Sequence, residues 1–229
     1  MKILAIGAHP DDIEIFMFGL ISVLRERGDE IHLIVATDGS LGGDKKKYNL
    51  KKVRSAETSK ALKNLGKVHL LGLSDGFLGD DLNDKRVLRD KIDDIKPELI
   101  ISHSNKDYHT DHRKLSDLIT SIVSHYIPII YCDTLMGINF IPKFYIDITK
   151  YFRLKEEAIL CHKSQKPERF VKLANLMNSY RAAQCNAPLG FYAEGYTFRS
   201  SFPFTDIRSI LPEGMKLRPF HIVNIKGFL

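Results

Sequence analysis

Short apolar runs separated by longer stretches with helical spacing constrain this chain more than any other feature. The runs lie at about 2–8, 31–36, 68–71, 99–102 and 127–131. Between the first two, Ile13, Met17, Leu20, Ile21 and Leu24 fall at i, i+3, i+4 spacing, and Gly28 supplies a stop. Further helices are expected over about 49–65, 87–95, 111–125, 151–162 and 170–183. Alternation of this kind marks βαβ units and a mainly parallel sheet. The expected fold class is α/β, a Rossmann-like three-layer sandwich with a C-terminal segment lining the cleft. At 229 residues the chain suits a single domain, 1–229.

Composition removes several function classes. With 44% hydrophobic and 27% charged residues, the chain reads as an ordinary soluble globular protein. No apolar stretch approaches the roughly 20 residues of a membrane-spanning helix. The first apolar run is cut off by His9 and two aspartates, unlike a signal peptide. Three widely spaced cysteines, Cys132, Cys161 and Cys185, suggest buried thiols in a reducing compartment, and the expected location is cytoplasmic. The net charge of +6 owes much to Lys45, Lys46, Lys47, Lys51, Lys52 and Arg54. That segment reads as a solvated face or as an attractor for an anionic substrate group. Without aromatic interleaving or a nucleic-acid motif, neither nucleic acid nor membrane is an expected partner. The first turn also lacks G-x-G-x-x-G, so dinucleotide binding has no support.

Chemistry-bearing residues concentrate in two places. His9-Pro10-Asp11-Asp12 follows the first apolar run, and His109-Thr110-Asp111-His112 follows the fourth. The carboxyl ends of parallel strands are where ligands bind in open α/β sheets. His9 and Asp12 lie three apart at a strand-to-helix turn, and His112 is placed to add a third metal ligand. Two imidazoles and a carboxylate leave a position open for water, as in catalytic zinc sites. Fe2+ accepts the same ligands. Asp11 then reads as the general base, and His109 as a group that stabilises an oxyanion or protonates a leaving amine. Asp111 reads as a carboxylate that orients a histidine. A lone Asp before a helix is more often an N-cap, but two such clusters, each after a strand, outweigh that reading. His32, His69, His103 and His125 read as structural. Together the parts describe metal-assisted hydrolysis of an amide or ester.

These residues resemble the PIG-L/LmbE-like zinc-dependent N-deacetylases. The likeness rests on Ala8-His9-Pro10-Asp11-Asp12-Ile13-Glu14, His109-Thr110-Asp111-His112, Arg54-Ser55-Ala56-Glu57, Asn105-Lys106-Asp107-Tyr108, His162-Lys163-Ser164-Gln165 and Ala193-Glu194-Gly195-Tyr196. It covers a core of about 1–196 and leaves an extension, 197–229, which is assigned to the active-site mouth or a subunit contact. The resemblance implies hydrolysis of the N-acetyl group of an amino sugar or its conjugate. It implies zinc on His9, Asp12 and His112, Asp11 as base, and His109 and Asp111 as further catalytic groups. Arg54 is implied to hold substrate hydroxyls or an anionic substituent, with a salt bridge to Glu57 as the alternative. His162 and Gln165 are implied to shape the substrate cleft, and Glu194 to play a structural part. Phe16 and Phe18 depart from the small residues of many relatives. A homo-oligomer is compatible with all of this.

Two rival readings stand beside it. One is a non-haem iron enzyme, which shares the ligand types but usually carries H-x-D/E on a β-sandwich. The other is a catalytically inactive relative that binds a sugar or nucleotide. Asp11 is superfluous to mere metal binding and therefore weighs against inactivity.

Overall fold

The computed structural model describes residues 1–43, 49–124, 126–200 and 210–213. Its strands are β1 (Lys2–Gly7), β2 (Glu30–Thr37), β3 (Lys67–Leu73), β4 (Leu99–Ser102), β5 (Ile129–Cys132), β6 (Phe144–Asp147) and β7 (Ala193–Phe198). They form one sheet in the order β3-β2-β1-β4-β5-β7-β6. The first five strands pair in parallel, as expected. β7 joins β5 antiparallel and β6 joins β7 antiparallel, an edge the apolar pattern does not announce.

The helices are α1 (Asp12–Phe16), α2 (Phe18–Glu26), α3 (Leu50–Leu62), α4 (Leu82–Ile95), α5 (Thr110–Val123), α6 (Phe152–Ile159) and α7 (Glu168–Gln184). They cover both faces of the sheet, which is why β1 has no polar alternation. Ile3 and Ala5 pack with Ile13, Leu20, Phe152 and Met177 on one side. Leu4 and Ile6 pack with Leu88, Ile92, Leu115 and Ile119 on the other. The result is the three-layer sandwich. Among the described residues no helix is long and apolar enough to cross a membrane.

The first predicted helix is two. Met17, at φ −131° and ψ −8°, ends α1 and begins α2. The new helix start needs partners for its free N–H groups, and the Glu194 carboxylate of β7 supplies them. Gly19 N–H donates to its Oε1 at 2.9 Å and Leu20 N–H to its Oε2 at 2.8 Å. Continuous apolar spacing conceals this break because both helices bury the same face. Gly19 permits the contact: a Cβ there would lie 2.1 Å from Ile148 Cγ2 and 2.9 Å from Glu194 Cδ. Gly19→Ala is therefore expected to cost at least ~1–3 kcal/mol through overpacking, read as a lower urea midpoint. An unchanged midpoint would contradict this packing.

Two expectations fall partly outside the described residues. Lys45, Lys46, Lys47 and His125 lie there, as does most of the 197–229 extension. Of the extension, Ile210 and Leu211 pack against the core, and Ile210 O accepts from Arg27 Nη1 at 2.9 Å. Arg27 follows α2 at the sheet edge opposite the carboxyl ends of β1 and β4. This stretch is thus not at the mouth of the site. The C-terminal part lines the cleft through Phe170 of α7 instead.

Candidate metal centre

β1 and β4 are neighbours where the chain reverses its direction across the sheet, with β2 and β3 on one side and β5 on the other. Loops leaving these two strands diverge and open a crevice. The cleft there has a volume of about 400 Å³, and its walls include His9, Asp11, Asp12, His109 and His112. Both sequence clusters therefore meet, from positions about 100 residues apart.

Asp12 is the hub. Its Oδ2 accepts from His9 N–H at 2.7 Å, which folds the loop back on itself. Its Oδ1 lies 3.3 Å from His112 Nε2, and its Oδ2 lies 3.4 Å from His9 Nδ1 and 3.1 Å from His103 Nε2. Burial opposes charge on Asp12, but His112 and His103 hold its carboxyl well below the usual range. His9 Nε2 lies 3.2 Å from both Asp75 Oδ1 and Asp111 Oδ2. Burial disfavours the His9 imidazolium, yet Asp111, Asp12 and Asp75 together raise its pKa well above normal. His112 also resists burial: Asp12 and Asp107 push it up to about 9, with Asp107 Oδ2 2.9 Å from Nδ1.

The arrangement suits a divalent cation. Donor atoms of Asp12, His103 and His112 lie within 4.8 Å of one another, as do those of His9, His109 and His112. Imidazole and carboxylate are the ligands zinc and iron share. Asp111 Oδ1 is buried nearby and has no hydrogen-bond partner among the described residues. Outer carboxylates that fix ring orientation are a usual companion of such ligands, and Asp107 and Asp111 stand in that relation to His112 and His9.

Asp11 occupies left-handed backbone, φ 110° and ψ −21°, a strained state for a residue other than glycine. Burial pushes its pKa up to about 6, against the pull of Arg54. His109 caps α5: its Nδ1 accepts from Asp111 N–H at 3.2 Å, which leaves the ring proton on Nε2. Burial, then His112 and His9, lower its pKa, so the neutral ring is favoured.

The remaining site residues are placed differently. Arg54 is buried, donating from Nη1 to Gly39 O at 3.0 Å and from Nη2 to Pro10 O and to Asp11 Oδ2. It braces the Pro10–Asp11 turn. Its suggested partner Glu57 instead accepts from Ser164 N–H at 2.8 Å and Ser164 Oγ at 2.7 Å. Gln165 Nε2 donates to Gly42 O at 2.6 Å, joining the segment after α6 to the cleft wall. His162 is only 1% exposed and meets Glu14, so its ring is sealed from the cleft. The Phe16 ring stands T-shaped to His103 and His112, with centroids 5.9 Å and 6.1 Å away, walling the centre with apolar surface.

His103, Asp75 and Asp107 complete the site beyond the sequence reading. His103 follows β4 directly, is fully buried, and falls to a pKa of about 4 through burial and the adjacent His112. Its position at a strand end was the available signal, shared by many structural histidines. Asp75 lies in the Asp- and Gly-rich loop after β3, where nothing in the pattern separates it from other turn aspartates.

A family model described as PIG-L, GlcNAc-PI de-N-acetylase, matches residues 4–123. The diacetylchitobiose deacetylase of Thermococcus kodakarensis is 26% identical over 195 residues, covering 73% of this chain and 71% of the relative. The solved N,N'-diacetylchitobiose deacetylase from Pyrococcus horikoshii superposes with a TM-score of 0.76 at 23% identity, covering 86% of this chain and 83% of that one. GalB, the 4-carboxy-2-hydroxymuconate hydratase from Pseudomonas putida, also reaches 0.76 at 22% identity, covering 95% and 99%.

Proposed function

The chain belongs to the PIG-L family of GlcNAc-PI de-N-acetylases, and on that premise we propose that it hydrolyses the N-acetyl group of an amino sugar or amino-sugar conjugate. Acetate and a free amine are the products. The observation that supports this reading is the Asp12 carboxylate, with its Oδ2 3.4 Å from His9 Nδ1 and its Oδ1 3.3 Å from His112 Nε2, and Asp11 lining the same cleft. The hydratase shares the fold, so the fold alone does not choose the reaction. Family membership and the deacetylase relatives favour amide hydrolysis.

His9, Asp12 and His112 would hold the metal, with His103 beside Asp12. Zinc, when bound, supplies a Lewis acid that polarises the acetamide carbonyl and acidifies water. Asp11 takes a proton from the attacking water as oxygen bonds to the carbonyl carbon, and returns it to the nitrogen as the C–N bond breaks. General acid–base assistance of this kind contributes about 10²–10⁴-fold. His109 donates its Nε2 proton in a hydrogen bond to the developing oxyanion. Arg54 acts on the backbone of the Asp11 turn, keeping the carboxylate in place. Phe16 shields the centre from bulk water. The three thiols are free, in keeping with a cytoplasmic setting.

The reading is tested by amine release from N-acetylglucosamine, an anionic N-acetylglucosaminide and an N-acetylated aminoglycoside sugar, using zinc-loaded protein. Release from at least one is expected, and its preference identifies the conjugate. Silence across such a panel with metal bound favours the inactive binding relative. Asp107→Ala is expected to weaken zinc affinity about 10–100-fold in chelator competition, because His112 loses the carboxylate on Nδ1. Unaltered affinity would remove Asp107 from the site.

A further inference from the structure

The strained Asp11 turn persists only where its surroundings hold it. Arg54 grips it from α3. The chain that follows, α1, is only five residues long, too short to be stable by itself. Ile13, Ile15 and Phe16 hold α1 in the core, and Glu14 adds a directional contact. Its Oε1 accepts from His162 Nε2 at 2.7 Å, across 148 residues of sequence, and the two side chains are 0% and 1% exposed.

This pair is an unusual thing to bury. A buried ion pair gives little stability over well-packed apolar residues of similar volume. Among the described residues, Glu14 Oε2 and His162 Nδ1 have no hydrogen-bond partner, so the Oε1–Nε2 contact is the one that engages each group. His162 is sealed from the cleft, which removes direct contact with substrate from its roles. Directional geometry is what the pair supplies and an apolar contact does not.

We infer that Glu14 and His162 form a positioning clamp that ties α1 to the segment after α6 and holds the Asp11 carboxylate in register for proton transfer. The inference rests on the deacetylase reading above. Misplacing a reacting group by about 1 Å costs roughly 10²-fold in rate, and the clamp guards against that loss.

The test compares wild type, His162→Phe, Glu14→Gln and the double variant Glu14→Leu/His162→Phe. For His162→Phe, kcat is expected to fall roughly 10²-fold, with KM and zinc affinity little changed. Glu14→Gln, which keeps an acceptor for the His162 N–H, recovers most of kcat. The double variant replaces both polar partners by apolar groups, so its urea midpoint recovers while kcat stays low. A rise in KM alone would make His162 a substrate contact and overturn the clamp. Recovery of kcat together with stability in the double variant would reduce the pair to a structural contact and overturn it as well. Crystal structures of wild type and the double variant supply an arm independent of activity: Asp11 is expected to leave the left-handed region when the clamp is lost. An unmoved Asp11 sinks the clamp even if the wild type proves active. A wild type that binds zinc but deacetylates nothing sinks the functional reading instead, and the Asp11 backbone still decides the clamp.

Discussion

Asp11→Asn is expected to lower kcat for deacetylation about 10²–10⁴-fold while the protein still binds one equivalent of zinc. Asparagine is the informative replacement. It tolerates left-handed backbone better than most residues, so φ 110° is kept with little added strain. It preserves the shape of the side chain while removing the ability to take a proton and the charge that faces Arg54. Arg54 retains its bonds to Gly39 O and Pro10 O, so the turn stays braced. Asp12, the adjacent hub, has its own partners in His9 N–H, His103 and His112. Steady-state kinetics beside metal analysis separates the two functions. Loss of zinc in parallel with activity would mean that Asp11 belongs to the metal site rather than to proton transfer.

The largest stability effect is expected at Glu194. Its carboxylate accepts from Gly19 N–H and Leu20 N–H, from Tyr196 Oη at 2.6 Å and from Lys155 Nζ at 2.8 Å. Lys155 is fully buried and, among the described residues, also donates to Asn178 Oδ1 at 2.9 Å. Glu194→Ala would leave an ammonium group without its counter-charge and reopen the start of α2. Breaking one side of such a pair costs about 3–5 kcal/mol, a large share of the roughly 5–15 kcal/mol that holds a typical domain folded. Urea titration followed by circular dichroism measures it. Lys155→Met combined with Glu194→Leu is expected to recover part of the loss, since both charges leave together. A loss below about 1 kcal/mol for Glu194→Ala, the level of an exposed pair, would contradict the hub.

These two residues also show where sequence reading succeeds and where it stops. Asp11 was legible because His9, Asp11 and Asp12 are contiguous and follow a strand buried on both faces, so local spacing alone sets their location. The parallel core was legible for the same reason: Ile3, Leu4, Ala5 and Ile6 have no polar alternation. Glu194 was visible only as a motif residue without a physical role. Its partners Gly19, Leu20 and Lys155 are distant in sequence, and the antiparallel edge that carries it is built from short strands containing Gly, Glu and Asp. His103 reads as structural in the sequence because one histidine after a strand is compatible with many environments. Its proximity to Asp12 exists only once β1 and β4 pair. Glu14 and His162 likewise become partners only when the C-terminal layer folds back over α1.

The most direct test of the central claim is a metal titration of activity. Protein stripped of metal is reloaded with increasing zinc, and acetate and amine released from N,N'-diacetylchitobiose and an anionic N-acetylglucosaminide are measured at each step. Equimolar acetate and amine, rising with zinc to a plateau near one equivalent, is the predicted result. Zinc bound at one equivalent with neither product released from any N-acetylated sugar would contradict it.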